Sequence, residues 1–301
     1  FFIGLCIGIA EEWLLENRLH TKPFWQVTIV RVLLYISIIG FWLLSLNTLI
    51  IMYGFDMSMP VAFRSYIVEG TGVQDFTFAF FAALIAVSIF QIKKLHRKGD
   101  LWNFVLGKYN TPTEVERIFI FIDLKSSTTI AEKLGHLKYS HFLKDYFYDI
   151  TEAILLTEGE IYQYVGDEII LTWKTPKGLK NANCLRCFYY MKKHIEGLKE
   201  TYLQKYGYYP QFKAGLHGGT VVTTWMGELK KEIVFTGDVL NTTARIQEKC
   251  NELKQELLIS GDLLQQLNLK GNFEATFVDK LQLRGKTKEV ELYGITHLKK
   301  K

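Results

Sequence analysis

Along the chain, the spacing of apolar positions changes character once, near residue 95. Before that point they form long unbroken runs; after it they come in short strand-length runs, alternate or recur at helical spacing. The first run, 1–10, is too short to span a bilayer, which takes ~20 residues, and Glu11 and Glu12 end it. The second, 27–53, is long enough to cross with tilt. Trp25, Trp42 and Tyr53 suit interface anchoring, and Arg31 can snorkel from one end. A loop over 54–75, with Gly54, Pro60, Gly70 and Gly72, separates it from a third run at 76–92. The pattern predicts a membrane domain over 1–98, with a partial span at 1–10 and spans at about 27–53 and 76–92. Lys93, Lys94, His96, Arg97 and Lys98 follow the last run, whereas the 54–75 loop carries Arg64 as its one base. Basic flanks mark the cytoplasmic side. The expectation is a multi-pass protein of the inner or plasma membrane, with the remainder of the chain in the cytoplasm. Phe1 opens the chain with no charged leader, so it reads as a fragment rather than as a signal peptide.

Residues 99–115, with Gly99, Gly107 and Pro112, predict a juxtamembrane linker holding a short apolar helix at 101–106. From 116 to 301 the pattern predicts a strand at 116–123, helices across 127–156, a hairpin at 159–174 and a helix at 178–206. A strand or hairpin at 211–235, a helix at 239–250, a strand at 255–260 and an antiparallel pair at 274–283 and 288–295 complete it. That order is α+β, a ferredoxin-like core with an added C-terminal hairpin.

Composition changes this picture little. A length of 301 residues allows one or two domains. The net charge of +5 comes with no basic stripe or stacking motif, so nucleic acid is not an expected partner. Cys184 and Cys187 have redox or zinc spacing, but they sit inside a predicted helix with no second ligand pair, and read as ordinary helix residues.

Candidate chemistry begins where the apolar run Ile118–Ile122 ends in Asp123. An acid at the mouth of a buried strand is costly unless something positive compensates it; the alternatives are a metal or a helix cap. Asp167 follows Gly166 between two β-rich runs, a hairpin signal. In a split β-α-β sheet the third strand lies antiparallel beside the first, so both carboxylates fall at one sheet edge. Two acids placed there suit two divalent ions bridging a triphosphate. Ser126, Ser127 and Thr128 open the next helix, whose free N–H groups suit phosphate, although all three are also ordinary capping residues. Asp238 can cap the helix from 239, on which Asn241 and Arg245 lie four apart and share a face. An Arg and an amide aimed at one point suit a phosphoryl transition state. His217 reads as structural.

The ordered set of Asp123, Gly166-Asp167, Gly237-Asp238 with Asn241 and Arg245, and Gly285-Lys286 resembles the class III nucleotidyl cyclases over roughly residues 115–295. The resemblance implies a cyclase catalytic domain of ferredoxin-like α+β fold, preceded by transmembrane helices. It implies that Asp123, the Leu124 carbonyl and Asp167 bind two Mg²⁺ or Mn²⁺. Asn241 would position the ribose, Arg245 would stabilise developing charge, and Lys286 would hold the terminal phosphates. Ser126, Ser127 and Thr128 stand where the family usually has Gly-Phe-Thr, keeping the backbone role. Gln163 stands where adenylyl cyclases carry Lys and guanylyl cyclases Glu. Its usual Asp or Thr partner falls by ungapped count on Val234, and a shift of two brings Thr236 there. A Gln amide both donates and accepts, so it suits adenine and can turn to suit guanine; the missing Glu favours ATP, with GTP possible. Family sites form between two catalytic domains, which implies a homodimer. The expected function is a membrane-tethered adenylate cyclase turning ATP into 3′,5′-cyclic AMP and pyrophosphate, with ATP, the lipid bilayer and a second copy as partners. The alternatives are a guanylate cyclase, a catalytically silent receptor or dimerisation module, and a diguanylate cyclase suggested by Gly166-Asp167-Glu168. The Asn241–Arg245 element and the lack of a second glycine before Gly166 argue against the last.

Overall fold

The computed structural model describes residues 2–10, 24–95, 111–228, 232–269, 271–282 and 289–298. The chain divides into two units, Phe1–Leu101 and Trp102–Lys301.

The first unit is helical: α1 (Phe2–Ala10), α2 (Phe24–Gly54), α3 (Met59–Arg64), a π-helical turn at Ser65–Glu69, and α4 (Gly72–Leu95). α2 is apolar on every side, as a helix surrounded by lipid or core must be. Leu33, Phe41 and Ile50 are exposed, so a packed protein core is not what surrounds it. At Gly40 α4 leaves no room for a side chain, since a Cβ there would stand 2.7 Å from the Phe76 ring.

Two expectations change here. Gln26–Gly54 is the one helix among the described residues that is long and apolar enough by itself to cross a membrane. The second expected span, 76–92, meets that requirement only as part of a pair, Met59–Val68 with Gly72–Ser88, bent by 66°. Gly70 and Gly72 sit at the break. Two unbroken spans, and with them the multi-pass arrangement, are therefore not supported. Arg31 does not snorkel outward but is 5% exposed, packed among the helices. Residues 96–98 of the basic cluster and the short helix expected at 101–106 lie outside the described residues.

The second unit is a mixed sheet with helices on both faces. β1 (Thr113–Leu124) leads into α5 (Ser127–Asp149) and α6 (Thr151–Leu156). The hairpin of β2 (Glu160–Val165) and β3 (Glu168–Lys174) follows, then the short α7 (Thr175–Leu179), α8 (Asn183–Gly197) and α9 (Lys199–Tyr206). β4 (Phe212–Met226) and β5 (Glu232–Thr236) precede α10 (Asp238–Glu252). β6 (Leu257–Ser260), α11 (Gly261–Leu264), β7 (Phe273–Gln282) and β8 (Glu289–His297) complete the unit. The strand order is β2-β3-β1-β4-β6-β8-β7, with β5 paired to β4. β3 runs antiparallel beside β1, as the strand-helix-hairpin order requires.

β1 is buried on both faces because its residues alternate between two cores. Ile118, Ile120, Ile122 and Leu124 enter the larger core with Phe142, Tyr146, Phe188 and Trp173, covered by α5, α6, α8 and α9. Phe119 and Phe121 enter a smaller core on the opposite face with Ile170, Val221, Ile233, Phe235 and Val239, which brings in α10. By this alternation Asp123 stands on the second face, the face of α10.

Candidate active site

Asp123 is the residue at which β1 leaves its buried stretch. Its backbone partner on β4 is Lys213, and Ile122 before it pairs with Ile169 on β3. The β2–β3 turn has just two residues between the paired Val165 and Glu168, namely Gly166 and Asp167. Such a tight hairpin turn needs a positive φ, and Gly166 supplies it at +64°. Register and turn together carry Asp167 and Glu168 to the end of β1.

Two donors meet Asp123 there. Lys213 Nζ lies 3.3 Å from Asp123 Oδ2, and Gln247 Nε2 donates to the same oxygen at 3.1 Å. Both donor side chains are buried. Burial nevertheless raises the Asp123 carboxyl, and the Asp167 charge raises it further, against the pull of Lys213. Glu168 is pushed up to about 7 by burial, then by Asp123, Asp167 and Glu248. Tyr139 on α5 is pushed up to about 12 by burial and by Asp167. Asp167 Oδ2 is buried with no hydrogen-bond partner. Four acids thus face one buried lysine, and the cluster is short of positive charge. Among the described residues no three His, Cys, Asp or Glu side chains form a ready-made metal centre. The acids come as a close pair with an orphaned oxygen, a donor set that fits a hard divalent cation completed by a backbone carbonyl, water and phosphate oxygens.

Leu124 buries its side chain in the larger core, which leaves its backbone at the strand end beside Asp123. Ser126 adopts a left-handed conformation, φ +58°, and makes no side-chain cap bond. This gives a physical reason for a glycine at such a turn; with serine the conformation costs ~1–2 kcal/mol. Ser127 begins α5, and Thr128 is exposed in its first turn.

α10 is amphipathic. Val239, Thr242, Thr243, Ile246, Gln247 and Cys250 are buried, while Asn241 is exposed and Arg245 partly so. The helix starts at Asp238 with Gly237 at the cap position; the expected cap, Asp238, instead accepts a hydrogen bond from Thr242 Oγ1 at 3.0 Å. Gly215 lets this helix lie directly on β4, because a Cβ there would stand 2.4 Å from the backbone nitrogen of Gln247. At about 100° per residue, Gln247 lies roughly 120° around the helix from Asn241 and 160° from Arg245. The helix that touches Asp123 thus turns Asn241 and Arg245 away from it.

The residues expected around the base are placed but not joined. Gln163 is exposed on β2, just after an irregularity in its pairing with β3. Thr236 is exposed at the end of β5, its hydroxyl 3.5 Å from the Val222 carbonyl. Val234 lies on the same face of β5 as Thr236, opposite the buried Ile233 and Phe235. Among the described residues no hydrogen bond links Gln163 to Thr236. Lys286 lies outside the described residues. A groove of about 630 Å³ between α6 and α8, lined by Leu156, Arg186 and Lys193, contains none of these residues.

Lys213, Gln247 and Glu168 join the site without having been singled out by the sequence. Lys213 had a signal: it alternates with Phe212, Ala214 and Leu216, so it points away from the larger core and toward the face of Asp123. Gln247 had a weaker one, a polar residue in phase with Val239, Thr243 and Cys250.

The geometry agrees with what this chain is similar to. Residues 112–297 match the family described as the adenylate and guanylate cyclase catalytic domain. Adenylate cyclase 2 of Rhizobium meliloti (strain 1021) is 31% identical over 210 residues, which cover 70% of this chain and 58% of that protein's length. The chain therefore spans little more than half of that relative. Among solved structures, the adenylyl cyclase CyaB from P. aeruginosa is 18% identical with a TM-score of 0.54, covering 63% of this chain and 97% of that one. The guanylyl cyclase Cya2 is also 18% identical, with a TM-score of 0.55, covering 62% of this chain and 94% of that one. A mixed sheet with an acid pair at its edge, a family match over 186 residues and these relatives lead to one conclusion: the chain belongs to the adenylate and guanylate cyclase catalytic-domain family, and its second unit has that fold.

Proposed function

We propose that this chain is a membrane-tethered adenylate cyclase that works as a homodimer, turning ATP into 3′,5′-cyclic AMP and pyrophosphate. The observation that carries the reading is the close pair of Asp123 and Asp167, short of positive charge at the start of α5, in a chain whose Asn241 and Arg245 face away from that pair. One copy would then supply Asp123, Asp167 and the Leu124 carbonyl, and a second copy Asn241 and Arg245. Asp123, Asp167 and Leu124 would hold two Mg²⁺ or Mn²⁺, which when bound polarise the phosphate oxygens and favour the ionised ribose hydroxyl. The ribose 3′ oxygen bonds to the α-phosphorus as the bond from that phosphorus to the bridging oxygen breaks. Pyrophosphate leaves with the electron pair, and the 3′ proton passes to solvent. Asn241 orients the ribose, Arg245 neutralises charge that grows on the α-phosphate, and the backbone N–H groups at Ser126, Ser127 and Thr128 meet the phosphates. Lys286 would meet the terminal phosphates. Gln163, with Thr236, would read the base. Gln26–Gly54 would anchor the chain in the bilayer, since its exposed apolar sides have no other solvent.

The test is direct. The purified chain in detergent is given Mn²⁺ with ATP or with GTP, and cyclic nucleotide is measured. ATP is expected to be turned over at least about tenfold better, or ~1.4 kcal/mol of transition-state discrimination. Comparable rates would overturn the substrate and leave a cyclase; no product from either nucleotide would leave a silent module.

A further inference from the structure

Asp123 is held from two sides, and one of the holders belongs to α10. Gln247 Nε2 and Lys213 Nζ, 3.1 and 3.3 Å away, both address Oδ2, so they commit one oxygen of the carboxylate and leave Oδ1 to neither. Lys213 reaches Asp123 along the sheet as its cross-strand neighbour. Gln247 reaches it from the covering helix, and only because Gly215 has no side chain to keep that helix off β4. Gln247 is 5% exposed; a buried amide donor aimed at a carboxylate is costly to waste.

We propose that Gln247 is a positioning residue: its amide fixes the orientation of Asp123 and so sets the affinity of that chain's acid pair for a divalent ion. The inference rests on the cyclase reading for the identity of the ion. It adds a consequence of helix geometry. α10 carries Gln247 for its own chain's Asp123 and, some 120–160° around, Asn241 and Arg245 for the partner's site. Gln247 therefore acts in cis on Asp123, while its own helix acts in trans.

The closing experiment has two arms. In the first, free Mn²⁺ is followed by electron paramagnetic resonance as the purified chain is added without nucleotide. Gln247→Met keeps the length and helix preference of the side chain and removes the donor; Gln247→Asn keeps an amide one methylene too short. Each should weaken Mn²⁺ binding roughly tenfold, the low end for loss of a residue that orients a ligand. Unchanged affinity in a folded variant overturns the proposal. Absence of Mn²⁺ binding by the parent chain instead overturns the metal-pair reading. The second arm mixes Asp123→Ala chains with Arg245→Ala chains, which together rebuild one intact site. Gln247→Met should cut the recovered activity at least fivefold more when placed on the Arg245→Ala chain, whose Asp123 is in use, than on the other. Equal losses on both chains would show that Gln247 serves the helix and not Asp123, and would overturn the proposal. No recovery before Gln247 is changed would overturn the shared site, with the Mn²⁺ arm still deciding the inference.

Discussion

Two acids on opposite faces of the sheet, Asp145 and Asp123, are held in contrasting ways. On the face covered by α5, α6, α8 and α9, Asp145 accepts from Lys205 Nζ at 2.6 Å and from Tyr206 Oη at 2.7 Å. Burial alone would raise its carboxyl, but these two bonds outweigh burial and hold it below the usual carboxylate range. On the face covered by α10, Asp123 also has two donors, yet its carboxyl is raised, because burial and Asp167 together outweigh them. What separates these two acids is the local ratio of acids to bases. Asp145 is satisfied by a lysine and a tyrosine, whereas Asp149, four residues on, has Tyr202 Oη at 2.6 Å and is raised by burial. Around Asp123, acids outnumber bases, and Lys213 and Gln247 together do not offset burial and the Asp167 charge.

The largest expected effects separate the faces by what each loses. Arg245→Ala removes a partly exposed side chain with no hydrogen bond among the described residues. It should cut cyclic-nucleotide turnover by about 10²–10³ and leave stability within ~0.5 kcal/mol. Phe142→Ala, in the larger core and fully buried, should cost about 3–5 kcal/mol of stability while the folded fraction keeps its turnover. Initial rates and thermal unfolding of the two variants check both statements. An Arg245→Ala chain that melts early, or a Phe142→Ala chain that melts like the parent, would break the division of labour.

Much of this was legible in the sequence, for reasons that differ by residue. The strand-helix-hairpin order predicts Asp123 and Asp167 at one end of the sheet, and there they stand, because β3 pairs antiparallel with β1 on one side and with β2 across the tight turn on the other. The shared face of Asn241 and Arg245 follows from a four-residue spacing. The long helix at 178–206 was less legible: Pro176 and Gly178 sit in a separate short helix, and left-handed Asn181 and Ala182 break the chain before α8. The second span, 76–92, lies within α4, which meets the requirement for crossing a membrane only when paired with Met59–Val68 across the break at Gly70 and Gly72, a backbone event that apolar content does not report. Gln247 was missed because its role depends on a glycine 32 residues earlier allowing the helix to approach. No single-strand or single-helix pattern contains that information.

An intermediate effect tests the edge of the active face, where Gln163 stands exposed on β2. Gln163→Glu supplies acceptors for both guanine donors and removes the donor that adenine N1 would use. The ratio of ATP to GTP turnover should fall by about tenfold, ~1.4 kcal/mol. Thr236 stands on β5, which pairs with β4 and not with β2, and no hydrogen bond joins it to Gln163 among the described residues, so the side chain at 163 should dominate the choice. If Gln163→Glu left the ratio unchanged, nucleotide choice would lie in the shape of the site and not in this amide.

The smallest effect sharpens the contrast in acid behaviour. Asp145→Asn keeps an acceptor for Tyr206 and removes the charge that Lys205 pairs with. Because the folded Asp145 carboxyl lies below its unfolded value, its contribution is present above that value, about pH 4. It is lost as the pH falls through the lower folded value. The parent should therefore unfold at a higher temperature than Asp145→Asn at pH 7, and the gap should narrow as the pH is lowered below about 4. Asp145 and Lys205 are both substantially exposed, so water screens the pair and the gap corresponds to under about 1 kcal/mol. It should shrink further at ~1 M salt, where the screening length is about 3 Å. A gap that stayed constant down to pH 3 would mean the variant loses packing and not charge, and Asp145 would cease to be the paired counterpart of Asp123.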